Sequence, residues 1–207
     1  MKVGFFHAGP SPVHLELAQV LIRSVRRAMP GVPIVHLTDI DTPPIAGVDD
    51  VRRRPAGPIA MSVLEHYAGC YGDWLLVDTD VVVRRDVRAV FDLTFDIAVA
   101  TREGTFKPSE IGTKFMKSMP FNKGVVFSRN PAFWAAAAKA LREASEKQQS
   151  WMGDQRAMND IIATARFFVR VLTNAFNYPP KRRDEDLSDK YVLHYKGPRK
   201  AWMLELA

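Results

Sequence analysis

Short apolar runs alternate along the chain with longer segments in which apolar residues recur every three or four positions. The short runs are typical of buried strands, and the longer segments are typical of amphipathic helices. The pattern predicts strands at 2–6, 33–37, 74–77, 97–100, 125–127, 167–172 and 191–194. It predicts helices at 13–29, 59–70, 133–147 and 154–165. This alternation predicts an α/β fold with a mostly parallel central sheet.

Length and turn residues set the domain organisation. The 207 residues suffice for one well-buried domain and are too few for two domains of ordinary size. We therefore expect a single domain over residues 1–207. Residues 41–58 are rich in proline, glycine and charge, which predicts a surface loop.

The strand predicted at 74–77 ends in two carboxylates. It is apolar on both faces, as a central strand should be, and Asp78-Thr79-Asp80 follows at its carboxyl end. Ligands of α/β sheets collect beyond the carboxyl ends of the strands. Because alternate residues of an extended chain point to the same side, Asp78 and Asp80 can bind one hard divalent cation, which takes carboxylate, water and phosphate oxygens. The pair predicts a metal site and a phosphate-bearing substrate.

Two other interpretations of Asp78-Thr79-Asp80 are open at this point. A haloacid-dehalogenase-like phosphatase also places Asp-x-Asp after an apolar strand and uses the first carboxylate as a nucleophile. Here the motif comes a third of the way along the chain and is followed by Val81-Val82-Val83 instead of a glycine and threonine turn. The second interpretation is that the two carboxylates only cap a turn, and the tripeptide alone is too short to decide.

Composition narrows the classes of function. Hydrophobic residues make up 47% and charged residues 25%, as in ordinary soluble globular proteins. Lysine and arginine number 29 against 23 acidic residues, a net charge of +6. That excess fits a nucleotide pocket, and it also fits a nucleic-acid or anionic-membrane acceptor. The single cysteine, Cys70, excludes an internal disulfide and a multi-cysteine zinc site, and we expect it to be buried. We find no apolar stretch of membrane-spanning length and no signal sequence, so we expect a cytoplasmic protein.

Four separated motifs along the chain occur together in one order. They are Asp78-Thr79-Asp80, Phe121-Asn122-Lys123-Gly124-Val125, Gly153-Asp154-Gln155 with Asn159, and His194-Tyr195-Lys196-Gly197 with Lys200 and Trp202. In order and spacing they resemble the GT-A glycosyltransferases, especially family eight, the glycogenin and galactosyltransferase-like group. The resemblance covers nearly the whole chain and implies the Rossmann-like GT-A fold of nucleotide-diphospho-sugar transferases.

The resemblance implies a metal centre beside a donor-sugar site. The residues that match the family's metal ligands are Asp78, Asp80 and His194, which would bind Mn²⁺ or Mg²⁺. A metal there suits the chemistry, because a departing nucleoside diphosphate develops negative charge that needs a Lewis acid and fixed cations. The residues that match the donor-sugar side, and to which the resemblance gives catalytic roles, are Asn122, Asp154 and Gln155.

The nucleotide is expected to lie along the loops after the first two strands. His7 and Ala8 begin the first of these loops, on which a nucleotide can rest. Asp39 ends the second strand, where an acidic group can read a base or a ribose. Formation of a turn explains Asp39 equally well. The other residues predicted to bind the nucleotide are Thr79, Gly197 and Lys200. The resemblance implies that Lys200 contacts the diphosphate, and Gly197 allows the backbone to approach a phosphate closely.

The function implied by the resemblance is transfer of a hexose from a nucleoside-diphosphate sugar, expected to be a UDP-sugar, to an acceptor hydroxyl with retention. Residues 101–120 are expected to form a flexible region over the site. Lys123 replaces the small residue usual after the family asparagine and is expected to reach the acceptor or the diphosphate. Two alternatives remain, a phosphatase that uses Asp78 and a non-catalytic module that binds sugar nucleotides or nucleic acid.

Overall fold

The protein is described by a computed structural model over residues 1–102, 119–150 and 152–206. Most of the predicted flexible region 101–120 therefore lies outside the described residues. The strands are β1 (Lys2–Phe6), β2 (Ile34–Asp39), β3 (Asp50–Arg54), β4 (Trp74–Val77), β5 (Val81–Val83), β6 (Ile97–Thr101), β7 (Phe121–Ser128), β8 (Val169–Leu172) and β9 (Val192–His194). The helices are α1 (Pro12–Ala28), α2 (Ile59–Tyr67), α3 (Pro131–Glu143), α4 (Glu146–Gln149), α5 (Gly153–Ala163) and α6 (Lys200–Leu204).

Seven strands form one sheet in the order β3-β2-β1-β4-β7-β6-β8. The prediction of a mostly parallel sheet is confirmed, since only the pairs β4–β7 and β6–β7 are antiparallel. The reversal of β7 was not predicted, because an apolar run carries no information about strand direction. It has a consequence for function. The amino end of β7 lies beside the carboxyl ends of β1, β2 and β4, where the candidate chemistry is placed.

The prediction of a continuous loop over 41–58 is wrong in part, because β3 lies within it and pairs in parallel with β2. This strand is at the edge of the sheet and carries Asp50 and three arginines. An edge strand exposed to solvent tolerates charge and needs no apolar alternation, so the pattern of apolar residues could not reveal it.

Helices cover both faces of the sheet. On one face α1 packs with the small sheet formed by β5 and β9 and with α6. On the other face α2, α3 and α5 pack together over a second apolar cluster. Cys70 lies buried in that second cluster, as predicted, and burial raises the pKa of its thiol to about 12. Within the described ranges, none of the helices combines the length and apolarity that a membrane span requires.

Candidate metal and nucleotide site

Two strand pairs bring three potential metal ligands together. Asp78 follows β4 directly, and its backbone N–H donates to the carbonyl of Gly124 on β7 at 3.0 Å. Asp80 precedes β5, which pairs antiparallel with β9 so that Val81 lies opposite His194. One ligand atom from each of Asp78, Asp80 and His194 lies within 4.8 Å of the other two. The pairing of β5 with β9 thus brings His194 next to Asp80, although the two residues are far apart in the sequence.

A neighbouring asparagine sets the protonation of the His194 ring. The side-chain Nδ2 of Asn177 donates to Asn122 Oδ1 at 3.0 Å, so its Oδ1 faces His194 Nδ1, also at 3.0 Å. An amide oxygen only accepts hydrogen bonds, and Nδ1 must therefore carry the ring hydrogen. The other ring nitrogen, Nε2, is left with a lone pair. Histidine ligands of metals commonly have their second nitrogen fixed in this way.

The lone pair of His194 points at carboxylates. Nε2 lies 3.1 Å from Asp80 Oδ1 and 3.8 Å from Asp78 Oδ2. A lone pair and carboxylate oxygens repel one another unless a proton or a metal cation lies between them. Burial lowers the pKa of His194, although Asp80 opposes that shift, so protonation of the ring is disfavoured. The donor set of one imidazole and two carboxylates therefore fits a divalent cation such as Mn²⁺ or Mg²⁺.

Lys200 contacts the carboxylate oxygen of Asp80 that does not face His194. Its Nζ lies 3.2 Å from Asp80 Oδ2, while the other carboxylate oxygen faces His194. Burial opposes ionisation of Asp80, but the ammonium group of Lys200 holds the pKa of this carboxyl below its usual range. The carboxylate is charged and available to a metal, and Lys200 is close enough to contact an anion bound at that metal.

Gly124 lies against the face of the His194 ring. A Cβ at this position would be 1.9 Å from His194 Cε1 and 2.4 Å from Nδ1. A tight turn does not explain this glycine, since Asn122, Lys123 and Gly124 all belong to the extended strand β7. The position requires glycine because the imidazole occupies the space of a side chain.

Lys123 is an internal partner of the carboxylates. Its Nζ lies 3.0 Å from Asp78 Oδ1 and 3.2 Å from Asp154 Oδ2, and only 8% of the side chain is exposed. Burial alone would lower its pKa, yet Asp154 and Asp78 raise the pKa of Lys123 well above its ordinary value. The lysine was expected to reach the acceptor or the diphosphate. The structure instead uses it to join Asp154 to Asp78.

The polar residues at the start of α5 bind the amino end of β7. Gln155 accepts from the backbone N–H of Lys123 at 2.7 Å through Oε1 and donates to the carbonyl of Phe121 at 2.6 Å through Nε2. Asn159, one turn later, accepts from the backbone N–H of Phe121 at 3.0 Å. Asp154 precedes them and faces Lys123. The predicted donor-sugar residue Asp154 is thereby linked through Lys123 to the candidate metal ligand Asp78, and Gln155 is fixed next to it.

The predicted nucleotide residues lie at the ends of β1 and β2. The loops after these strands are joined by the backbone N–H of Gly9, next to Ala8, which donates to Thr42 Oγ1 at 2.7 Å. Asp39 Oδ1 accepts from the backbone of Thr42 at 2.7 Å, and hydrogen bonds from Thr42 lower its pKa. Asp39 thus forms a turn in this structure, and its role towards a nucleotide stays a prediction.

His7 is the more distinctive residue of this region. It is 4% exposed, and its two ring nitrogens have no hydrogen-bond partner among the described residues. Burial lowers the pKa of His7, so the ring is neutral at physiological pH. The ring of His14 packs edge-on to the ring of His7, with 6.5 Å between the ring centroids. Burial and the charge of Lys200 lower the pKa of His14, and the charge of Asp80 opposes that shift. His7 and His14 therefore lie on the same side of the sheet edge as the candidate metal site.

The remaining predicted residues have simpler positions. Thr79 lies in the turn between the two carboxylates. Gly197 has a φ of +60°, and a Cβ there would meet nothing within 4 Å, so glycine serves the backbone conformation. Asn122 is buried behind His194, where its Oδ1 accepts from Gly124 and Asn177. Asn177 could not be recognised as a site residue from the sequence, because a single asparagine between Phe176 and Tyr178 carries no signal.

Comparison with known proteins agrees with this geometry at the level of fold. No protein-family model and no curated protein matches the sequence. Among solved structures, the galactosyltransferase LgtC in complex with donor and acceptor sugar analogues matches with a TM-score of 0.64 and 16% identity, over 100% of this chain and 95% of LgtC. A second LgtC structure, an active-site mutant in which glutamine is replaced by glutamate, matches with a TM-score of 0.58.

Two larger proteins share the same fold. The apo form of the glycosyltransferase GlyE from Streptococcus pneumoniae TIGR4 matches with a TM-score of 0.68 and 17% identity, over 97% of this chain and 55% of GlyE. The bifunctional glycosyltransferase WbbM matches with a TM-score of 0.66 and 15% identity, over 98% of this chain and 46% of WbbM. The chain thus spans nearly all of LgtC and about half of GlyE and WbbM. Its fold is the GT-A glycosyltransferase fold, as the four motifs predicted.

Proposed function

We propose that the protein is a metal-dependent glycosyltransferase that moves a hexose from a nucleoside-diphosphate sugar to an acceptor hydroxyl. The observation that carries the proposal is the approach of His194 Nε2 to Asp80 Oδ1 at 3.1 Å and to Asp78 Oδ2 at 3.8 Å, at the carboxyl end of a central strand. A protein fold alone does not define an activity. Here the fold is accompanied by three side chains suited to a divalent cation, Asp78, Asp80 and His194, at the end of the sheet where ligands of α/β folds bind.

The site supplies what departure of a diphosphate needs. A metal held by Asp78, Asp80 and His194 would act as a Lewis acid towards the leaving group. Lys200 already lies beside Asp80 and can contact the diphosphate as a second, fixed cation. The paired loops after β1 and β2 would receive the nucleotide, with the unpartnered nitrogens of His7 available to a base. We further propose a UDP-sugar as donor and retention at the anomeric carbon, on the family resemblance.

Gln155 and Asp154 are proposed to serve the donor sugar. A glutamine amide offers two N–H groups and two lone pairs, and the hydrogen bonds to β7 use one of each. The remaining N–H and lone pair can serve sugar hydroxyls. A glutamine also belongs to the active site of LgtC, since its replacement there gave an active-site mutant.

The phosphatase alternative fits the geometry less well. It requires Asp78 as a nucleophile, but Asp78 Oδ1 is already bound by the ammonium of Lys123 at 3.0 Å.

Binding measurements on the wild-type protein test the proposed function. We expect nucleoside diphosphates and their sugars to raise the melting temperature in the presence of Mn²⁺ and to have little effect in its absence, because a ligand of the native state stabilises it by mass action. The preferred nucleotide sugar should then be hydrolysed slowly without an acceptor. Equal affinity for UDP with and without metal would count against the proposal, as would phosphatase activity without any sugar nucleotide.

Replacement of Gln155 by Ala should lower turnover far more than nucleotide affinity. A contact that strengthens only in the transition state affects kcat, and UDP lacks the sugar that Gln155 would touch. The measurement pairs calorimetric affinity for UDP and Mn²⁺ with the rate of sugar release.

Asn159→Ala is the matched control for Gln155→Ala, because it removes a comparable hydrogen bond to β7 one helical turn away. The control should keep its turnover. Equal losses of turnover in both variants would show that Gln155 only fixes α5 to β7.

A further inference from the structure

Lys196 is half-buried as a residue, but its Nζ is fully buried, and the candidate metal site does not use it. It follows His194 by two residues, and its Nζ has no hydrogen-bond partner among the described residues. A lysine side chain ordinarily carries a positive charge. A buried charge without a partner is costly, and such groups are retained where a ligand completes them.

The other lysines of the site are paired. Lys123 lies 3.0 Å from Asp78, and Lys200 lies 3.2 Å from Asp80. The same two carboxylates attract Lys196 at longer range, but no described carboxylate forms an ion pair with it. Lys123 and Lys200 are therefore paired with Asp78 and Asp80. Lys196 has no such carboxylate partner among the described residues.

The charges around Lys196 are of both signs. Asp78 and Asp80 attract its ammonium group, while Arg102 and Arg199 repel it. A divalent metal bound by the two carboxylates would offset their attraction and leave Lys196 among positive charges. A sugar nucleotide carries two negative charges on its diphosphate. A positive site of this kind raises the local concentration of anionic ligands.

We propose that Lys196 binds an anionic oxygen of the substrate that neither the metal ligands nor Lys200 hold. Two sources offer this chemistry, the diphosphate of the donor and a carboxylate on the transferred sugar, as in a uronic acid. Arg102, whose Nε donates to the carbonyl of Phe121 at 3.2 Å, adds positive charge to the same side of the site. The inference rests on the proposed function for the identity of the substrate.

The test compares Lys196→Met with the wild type. Methionine keeps the length of the side chain and removes its charge, so the melting temperature of the ligand-free variant should equal or exceed that of the wild type. A lysine with a structural role would lower it. Lys190→Met is the control, because this lysine is also largely buried but is paired with Asp189 at 2.6 Å.

Four probes separate the two sources of the anion. They are pyrophosphate with Mg²⁺, UDP, UDP-glucose and UDP-glucuronic acid, each measured by calorimetry. If the diphosphate is the source, Lys196→Met loses affinity for all four by about 10- to 150-fold, the loss expected for one charged hydrogen bond. If a sugar carboxylate is the source, affinity for UDP persists and only that for UDP-glucuronic acid falls.

Unchanged affinity of Lys196→Met for every probe overturns the inference. Failure of the proposed function looks different, because the wild type would then bind no sugar nucleotide with or without metal. Pyrophosphate still tests Lys196 in that case. If the wild type binds no sugar nucleotide, the anion site is rejected when the wild type and Lys196→Met bind pyrophosphate with equal affinity or when neither binds it.

Discussion

Gly124→Ala is expected to abolish metal-dependent nucleotide binding while the seven-stranded sheet still forms. The new Cβ would overlap His194 Cε1 at 1.9 Å and Nδ1 at 2.4 Å. The imidazole ring cannot move away from the new Cβ without losing the contact of Nδ1 with Asn177 and the position of Nε2 beside Asp80. Displacement of His194 removes one of the proposed metal ligands and breaks the hydrogen bond that fixes its tautomer. We expect a loss of metal affinity above the 10- to 100-fold typical of an outer-shell partner.

The glycine of β1 provides the control for Gly124→Ala. A Cβ at Gly4 would lie 3.1 Å from the Trp74 ring and 3.2 Å from Leu76, so Gly4→Ala also crowds the central sheet but lies away from His194. Both variants should lose about 1–3 kcal/mol of stability through overpacking. Calorimetry with Mn²⁺ and UDP should separate them. Near-normal metal affinity in Gly124→Ala would contradict the role given to the His194 ring.

Asp80→Asn should have an equally large effect on metal binding by a different route. Asparagine keeps the size of the side chain and removes the charge that attracts the cation. Its amide N–H can also donate to His194 Nε2, which lies 3.1 Å from Asp80 Oδ1 in the wild type. The lone pair would then be satisfied within the protein and closed to a metal. The ligand-free variant should remain folded, with a melting temperature close to that of the wild type.

The matched control is Asp73→Asn. Asp73 lies just before β4, at the opposite end of the strand from Asp78, and pairs with Arg129 at 2.8 Å. This variant loses a carboxylate of the same chain segment and should keep full metal affinity. Titration of Mn²⁺ in the presence of UDP is the measurement for both. Similar metal affinities for Asp80→Asn and the wild type would exclude Asp80 as a ligand.

The sequence indicated the ligands of the site better than their supports. Asp78 and Asp80 follow a strand that is apolar on both faces, so their place at the edge of the sheet follows from simple alternation. His194 was recognised only through the motif around it. Asn177, which fixes its tautomer, is far away in sequence and meets His194 through tertiary packing. No local pattern records such a contact.

Lys123 shows a second limit of the sequence. A lysine beside a predicted site suggested contact with a substrate, because exposed lysines commonly bind anions. The reversed direction of β7 places its amino end, with Lys123, at the same edge of the sheet as Asp78, and the lysine pairs there with Asp78 and Asp154. The apolar residues of β7 do not specify strand direction.

The small sheet of β5 and β9 connects local opening of the chain to the lifetime of a bound metal. It has two strands of three residues and one further bridge at Tyr178, and sheets of this size have little stability of their own. Transient separation of β9 would withdraw His194 from Asp80 without unfolding the main sheet. Release of the metal can therefore follow the opening rate of this ribbon. By linkage, a bound metal would slow hydrogen exchange at the amides of Leu193 and His194 more than elsewhere in the chain.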